Sequence, residues 1–287
     1  MNEESLKSLL PKFIDDLKEK GRSPSTILAY KSDLEQLVDF LAQHNKVLPS
    51  HIKQGDLEGF RDFLLNQKYT PKTVSRKLNA IKTFFRWIKD KKIISSDPSQ
   101  DVDHPKIKTS LPKFLSQLEY RALRDVVRTD PRIAAIVELI LQTGMRISEV
   151  ANLKFNNIKK DRVVIESYAT QPERTVQLNR AALVAIEEYI RIRPNTKSEY
   201  LFVSKNGKPL AVRNIRAAID RYMQKAEIPE YSVNDLRTTF IVENLKRNVD
   251  LVTISHAVGH KRLSTTERYL ELAEIKEPGK KQQLEEL

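Results

Sequence analysis

The stretch TGMRISEVANL at residues 143–153 decides how the rest of the chain is interpreted. Residues 133–141, just before it, are apolar nearly all round, which predicts a buried helix. Gly144 predicts the end of that helix, because glycine readily takes the left-handed conformation of a helix C-terminus. Arg146 then stands at the start of the next helix, where backbone N–H groups are free. An arginine in such a place can hold a phosphate, although an ordinary surface arginine gives the same pattern.

Three segments further along the chain carry chemically capable side chains. They are NDLRTTF at residues 234–240, VGH at 258–260 and STTERY at 264–269. Arg237 is again predicted near a helix start. Ser264 and Glu267 have the spacing of a capping box, which predicts a helix that begins at Ser264 and holds Tyr269 in its first turns. Taken singly, His260 could be a loop histidine and Tyr269 a core residue.

The composition narrows the classes of function. The chain has 287 residues, which suits two modest domains, and its 50 Lys and Arg against 38 Asp and Glu give a formal net charge of +12. Such an excess favours a polyanionic partner, most often nucleic acid, although ribosome-associated and membrane-surface proteins share it. The absence of cysteine excludes disulfides and thiolate chemistry. No apolar run is long enough to span a bilayer, no signal-peptide core opens the chain, and no phosphate-binding glycine loop appears, so an intracellular protein without nucleotide chemistry is expected.

The pattern of elements predicts a mainly α fold with a small antiparallel β-sheet, in two domains. Residues 1–95 are predicted to be helical. Residues 96–112 are polar and interrupted by prolines, which indicates a linker. Residues 113–287 form the second domain, in which residues 162–168 and 174–178 are predicted to be two strands of a hairpin.

The fourth predicted helix, which starts at Thr70-Pro71, is amphipathic. Its apolar stripe includes Val74, Leu78 and Ile81. The opposite side is predicted to carry a basic face made of Lys72, Arg76, Lys77, Lys82 and Arg86. In a chain this basic, such a face favours contact with DNA phosphates, which fix register on a duplex, over a merely solvated surface.

Taken together, these segments resemble the motifs of the tyrosine recombinase family, also called the lambda-integrase family. Residues 143–153 resemble its T-G-[LM]-R-[IV]-S-E-[LV]-x-x-L box, residues 234–240 resemble H-x-L-R-H-T-F in part, and residues 258–269 resemble L-G-H followed by T-T-x-x-Y. The histidine and the tyrosine keep the family's offset of nine positions, from 260 to 269. Residues 21–30 resemble the G-x-S-x-x-T-x-x-x-Y opening of its core-binding domain. Each box is weakly specific, whereas the ordered set is highly specific and covers essentially the whole chain.

The resemblance implies a reaction. Arg146 and Arg237 are expected to clamp the scissile phosphodiester, and Tyr269 is expected to be the nucleophile, giving a 3′-phosphotyrosyl link and a free 5′-hydroxyl. His260 is expected to orient the phosphate or to assist proton transfer. Because the ester bond energy is kept in the phosphotyrosine, neither a metal nor ATP nor any other cofactor is expected.

The resemblance also implies partners and an architecture. A C-shaped clamp of a core-binding and a catalytic domain is expected around double-stranded DNA with inverted half-sites. Two dimers are expected to form a tetramer in synapsis, from a monomer or dimer without DNA. A Xer-like or transposon-resolvase type is favoured, with a cytoplasmic, nucleoid-associated location. The tail at residues 274–287 is either a docking helix or a frayed end.

Two positions depart from the family pattern. Asn234 stands where the family has histidine or lysine, and asparagine cannot carry a proton near neutral pH. Ala169 aligns with the hairpin lysine that protonates the leaving oxygen, and there is no lysine between residues 161 and 196. Lys159 and Lys160, just before the hairpin, are the remaining lysine candidates for that acid. Arg174 is nearby but is a poor acid, because a guanidinium hardly releases its proton. A degenerate recombinase that binds DNA without cutting it is therefore the main alternative, and an unrelated helical nucleic-acid-binding protein is another.

Overall fold

The computed structural model describes residues 4–108, 111–167 and 172–273. It divides into two compact units, residues 1–109 and 110–287. Both are mainly helical, and the second holds one small antiparallel sheet, so the predicted fold class is confirmed. Within the described ranges, no helix combines the length and the apolar character needed to cross a membrane.

The first unit is built from four helices that enclose an aromatic core. They are α1 (Leu6–Glu19), α2 (Pro24–Gln43), α3 (Gln54–Asn66) and α4 (Pro71–Asp90). Ser23 and Thr70 cap α2 and α4 by accepting a backbone N–H, and proline follows each cap, where its fixed φ suits the first turn. Phe13, Phe60 and Phe84 are at most 1% exposed at the centre of the unit.

The first part of the predicted linker belongs to this unit. Val102 is 1% exposed and lies in its apolar core. Lys82 of α4 donates to the carbonyl oxygen of Gln100 at 3.1 Å. One buried valine and a few side-chain to backbone hydrogen bonds therefore fasten a segment whose polar, proline-containing composition resembles a linker.

The second unit packs nine described helices around α6, which is buried on most of its surface. They are α5 (Gln117–Val127), α6 (Pro131–Thr143), α7 (Ile147–Ala151), α8 (Arg180–Ile192), α9 (Val212–Lys225), α10 (Val233–Lys246), α11 (Leu251–Val258), α12 (Leu263–Glu267) and α13 (Leu270–Ala273). The sheet has the order β1 (Ile158–Lys159), β2 (Arg162–Ile165) and β3 (Arg174–Gln177). The predicted hairpin is confirmed as β2 and β3, whereas β1 was not predicted. Ile165 pairs with Arg174 at one end of the sheet and Arg162 pairs with Gln177 at the other.

Two glycines bring three helices of the second unit together. Gly144 ends α6 with a φ of +65°, and Gly259 ends α11 with a φ of +67°. A Cβ on Gly144 would lie 2.6 Å from the ring of Phe240 on α10 and 2.7 Å from Val258 on α11. Only glycine allows both the backbone conformation and this close approach. The C-terminal ends of α6 and α11 therefore meet α10 at one place.

Candidate active site

Arg146 and Arg237 converge at the C-terminal end of α11. Arg146 donates to the carbonyl oxygen of Val258 at 3.3 Å and to that of Gly259 at 3.0 Å. Arg237 donates to the same Val258 oxygen at 2.7 Å and also to the carbonyl oxygen of Gly144. The last carbonyls of a helix lack intrahelical partners and carry partial negative charge, so they hold two cations side by side. The structure thus brings together two arginines that are 91 positions apart.

A buried carboxylate, that of Glu149, binds two arginines of this cluster. Its oxygens accept hydrogen bonds from both terminal nitrogens of Arg174, at 2.9 and 2.7 Å, and from the guanidinium of Arg146 at 3.0 Å. Burial would raise the pKa of the Glu149 carboxyl, but the bonds from Arg174 and from the Arg146 backbone N–H outweigh it and hold the pKa below its usual value. Glu149 is therefore ionised. The sequence analysis assigned Glu149 no role, although a glutamate in the first turn of a helix can accept the backbone N–H of the N-cap residue, as Glu149 does from Arg146.

Positive charge exceeds negative charge in the cluster. Arg146, Arg174 and Arg237 face the single carboxylate of Glu149, which leaves two positive charges uncompensated among the described residues. Burial lowers the pKa of Arg237 to about 9, and repulsion from Arg146 and Arg174 adds to the effect. Arg237 is still a cation at neutral pH. A site that keeps partly buried cations without enough counter-charge is suited to an anionic ligand.

His260 and Tyr269 complete the site. A hydrogen bond of 2.7 Å joins Nδ1 of His260 to Oγ1 of Thr266, and the His260 ring stacks on the Tyr269 ring with centroids 6.2 Å apart. Burial, together with repulsion from the neighbouring Arg237 and Arg146, lowers the pKa of His260 to about 4. His260 is thus neutral at neutral pH. The structure thus brings Arg146 and Arg237 to the end of α11, next to His260, and places the Tyr269 ring against His260.

The helix before Tyr269 begins earlier than predicted. The first residue of α12 is Leu263 and its N-cap is Arg262, so the prediction of a capping box starting at Ser264 is wrong. Ser264 lies inside the first turn and is exposed. Tyr269 follows the end of α12 rather than lying in its first turns. It packs half-buried against the small apolar cluster that includes Ile241 of α10.

Among the described residues, the side chains of Asn234 and Lys160 form no hydrogen bond or ion pair with the arginine cluster or with His260. Asn234 lies exposed in the first turn of α10, one turn before Arg237. Lys160 lies exposed in the turn between β1 and β2, beside the Arg162 end of the sheet. Arg174 is three register positions away, about 10 Å along the strand, at the other end. Lys160 as the general acid therefore has no geometric support. Ala169 lies outside the described residues.

Helix α4 carries most, but not all, of the predicted basic face. Lys72, Arg76 and Arg86 are exposed. They share one side of the helix, because Arg76 lies about one turn and Arg86 about four turns after Lys72. Lys82 is half-buried. The prediction that Lys77 belongs to this face is wrong: it is 6% exposed and donates to Asp33 at 2.9 Å. Arg76 bonds to the same carboxylate through both terminal nitrogens and stays exposed, whereas Lys77, about 100° further round the helix, is turned towards the core.

Comparison with known proteins identifies the family of the chain. The chain matches the model of the phage integrase family over residues 113–275 and that of the phage integrase N-terminal SAM-like domain over residues 10–92. The tyrosine recombinase XerC of Staphylococcus haemolyticus is 32% identical over 269 residues, which cover 90% of each chain. The XerC of Lactobacillus leichmannii is 31% identical, covering 91% of this chain and 93% of the relative.

Solved structures show the same fold. The XerA recombinase is 25% identical, with a TM-score of 0.55 over 93% of this chain and 94% of that one. A lambda integrase tetramer, solved bound to a Holliday junction, has a TM-score of 0.80 at 15% identity, over 98% of this chain and 81% of that one. At that identity the likeness concerns the fold alone. Because both of its domains match the family models and its relatives are tyrosine recombinases, the chain belongs to the phage integrase family and is a tyrosine-type site-specific DNA recombinase.

Proposed function

We propose that the chain cuts and rejoins duplex DNA through a covalent 3′-phosphotyrosyl link at Tyr269. The observation that carries this proposal is the pair of guanidiniums, Arg146 and Arg237, held on one carbonyl of α11 with two uncompensated positive charges. The non-bridging oxygens of a phosphodiester would supply the missing negative charge. Tyr269 and His260 lie stacked beside this cluster, so a phosphate held there meets a hydroxyl nucleophile.

The proposed reaction exchanges one ester for another. The Tyr269 oxygen attacks phosphorus and gives up its proton, while the bond from phosphorus to the 5′-oxygen breaks and that oxygen takes up a proton. Both arginines stabilise the charge that builds on the phosphate oxygens during this step. Attack by the 5′-hydroxyl of another strand reverses the exchange and releases the tyrosine. The number of phosphate ester bonds stays constant, so the chemistry consumes no nucleotide.

Asn234 and Ala169, which depart from the family motifs, are expected to affect the rate of DNA cleavage. Loss of one acid or base group typically costs about 10²- to 10⁴-fold, so cleavage is expected to be slow rather than absent. A chain that only binds DNA would have no chemical use for the convergence of Arg146, Arg237, His260 and Tyr269. That convergence favours the active enzyme over the degenerate recombinase.

Covalent trapping tests the function. A nicked substrate carrying the chain's own recombination site should yield a protein–DNA adduct on a denaturing gel in the presence of a metal chelator. Tyr269→Phe removes one hydroxyl, keeps the ring stacked on His260 and should abolish the adduct without weakening DNA binding. An undiminished adduct with Tyr269→Phe would show that another residue is the nucleophile. Specific binding by the unmodified chain without any adduct would favour the degenerate recombinase.

The same proposal specifies the DNA substrate and the oligomeric state of the protein. The substrate is double-stranded DNA with inverted half-sites, which two protomers contact, and two such dimers form a tetramer in synapsis from monomers or dimers in solution. The protein then works on the nucleoid in the cytoplasm. A chain as basic as this one, at +12, matches a DNA partner. In this scheme each of the two units contacts the duplex.

The exposed stripe Lys72, Arg76 and Arg86 on α4 is the DNA-contacting surface that we propose for the first unit. Arg86→Ala should weaken binding to all duplex sequences alike and reduce the slope of log affinity against log salt by about 1, because one phosphate contact is lost. Fluorescence anisotropy over a salt series measures this slope. Lys7→Ala, which removes an exposed charge from α1, is the matched control and should leave the slope unchanged. An equal change in both variants would mean that only net charge matters.

A further inference from the structure

Thr266 contacts the side chain of His260 and the backbone of Tyr269, the two reactive residues of the proposed site. It lies in the last turn of α12 and is 0% exposed. Its Oγ1 lies 2.7 Å from Nδ1 of His260, and its backbone carbonyl accepts the N–H of Tyr269 at 3.0 Å. One buried residue therefore connects the imidazole to the segment that carries the tyrosine.

The direction of the hydrogen bond between Thr266 and His260 follows from counting protons. The hydroxyl of Thr266 has one proton, and within the described part of the chain its only hydrogen-bond partner is Nδ1 of His260. It does not bond back to a carbonyl of its own helix, as threonine in a helix often does. The side chain is fully buried, so bulk water does not take its place. A buried hydroxyl proton without an acceptor is costly, and the Thr266 hydroxyl must therefore donate to Nδ1.

This direction fixes the protonation of the ring. A Nδ1 that accepts a hydrogen bond carries no proton, so the one proton of a neutral imidazole is on Nε2. An imidazolium would place a proton on Nδ1 and leave the Thr266 hydroxyl without an acceptor. Burial and the nearby Arg237, Arg146 and Arg174 oppose the imidazolium independently of Thr266, and together they lower the pKa of His260. Nε2 makes no hydrogen bond to any described residue.

We propose that Thr266 is a positioning residue that fixes His260 as the neutral tautomer protonated at Nε2, so that the ring offers an N–H donor to the scissile phosphate and not a base to Tyr269. That the scissile phosphate accepts the Nε2 proton of His260 rests on the proposed function, whereas the assignment of the tautomer does not. The proton of Tyr269 must then leave by another route, such as water. His260 acts by orienting the phosphate and by stabilising charge on its oxygens.

Nitrogen-15 NMR of the full chain without DNA, at neutral pH, reads the tautomer directly. His260→Gln assigns the ring signals among the five histidines of the chain. The expected spectrum shows a protonated Nε2 and an unprotonated Nδ1 for His260. Thr266→Ser keeps the hydroxyl and should keep this pattern. Thr266→Val has nearly the same shape without a donor, and should give a mixture of tautomers with proton density on Nδ1.

Single-turnover cleavage of the nicked substrate supplies the second readout. Thr266→Val should slow cleavage by about 10- to 100-fold, because a displaced or wrongly protonated imidazole no longer donates to the phosphate. Thr266→Ser should retain the wild-type order of magnitude. Thr265→Val makes the same change at the exposed neighbouring threonine and serves as the matched control, with unchanged ring signals.

Three results would overturn the proposal. The first is a protonated Nδ1 of His260 in the unmodified chain, and the second is cleavage by Thr266→Val at the wild-type rate. The third is an equal loss of cleavage rate in Thr266→Ser and Thr266→Val, which would mean that the shape of the side chain matters and not its hydroxyl. Because the NMR readout needs no DNA, a chain that shows the predicted tautomer but forms no covalent adduct would contradict the proposed function and leave the assignment of Thr266 standing.

Discussion

Arg237→Ala is expected to slow DNA strand cleavage by about 100- to 1,000-fold while leaving duplex binding nearly unchanged. The Arg237 guanidinium is oriented by two backbone carbonyls, those of Gly144 and Val258, and has no carboxylate bonded to it among the described residues. Its charge is therefore available to the phosphate in the transition state. Binding is spread over many phosphate contacts, so the loss of one affects it little. Single-turnover cleavage and anisotropy measure the two quantities separately.

Arg237→Lys sharpens this prediction. Lysine keeps the charge but lacks the planar fork, so it cannot hold both carbonyls and a phosphate oxygen in fixed directions, and cleavage should remain slow. Arg128→Ala is the matched control in the same unit, because the Arg128 side chain is 79% exposed. Cleavage by Arg237→Ala at the rate of Arg128→Ala would contradict the assignment of Arg237 to the phosphate clamp.

Glu149→Ala is expected to lower the free energy of unfolding by about 3–5 kcal/mol. The substitution leaves the guanidinium of Arg174, which is 9% exposed, buried without its carboxylate. It also leaves Arg146 without the bond that holds its backbone and side chain at the start of α7. Urea denaturation of the full chain measures the change.

Two variants accompany Glu149→Ala. Glu149→Gln should fall between the wild type and Glu149→Ala, because the amide oxygen still accepts one hydrogen bond while its N–H₂ group faces the donors of Arg174. Glu199→Ala breaks an ion pair with Lys154 at a side chain that is 62% exposed, and should cost at most about 1 kcal/mol. A loss for Glu149→Ala no larger than that for Glu199→Ala would mean that the buried ion pair does not hold the site together.

Local sequence signals predicted where α6 ends and where α7 begins. Gly144 ends α6 as expected from glycine's tolerance of positive φ, and Arg146 stands directly before α7. The convergence of Arg146 with Arg237 could not come from spacing, since the two lie far apart along the chain. It followed from the resemblance, and the structure places both on one carbonyl of α11.

The features that sequence reasoning missed depend on tertiary packing. Arg174 attracted notice only as a poor acid, because nothing near it in the sequence indicates that it pairs with Glu149 across 25 positions. Lys77 is a residue type typical of the surface, yet it lies in the core, where it bonds to Asp33 of α2, a carboxylate that Arg76 also contacts. Val102 fastens a segment that otherwise has the composition of a linker. In each case one distant partner outweighs the local pattern.

The central claim is that Tyr269 carries the covalent link to DNA, and mass spectrometry of the trapped adduct tests it most directly. The chain has nine tyrosines, and trypsin should release residues 269–276, YLELAEIK, as a peptide with a single tyrosine. After nuclease digestion of the DNA, this peptide should carry a nucleotide attached through its 3′-phosphate, and the other side of the break should have a free 5′-hydroxyl. A nucleotide on any other tyrosine, or one attached through a 5′-phosphate, would contradict the account.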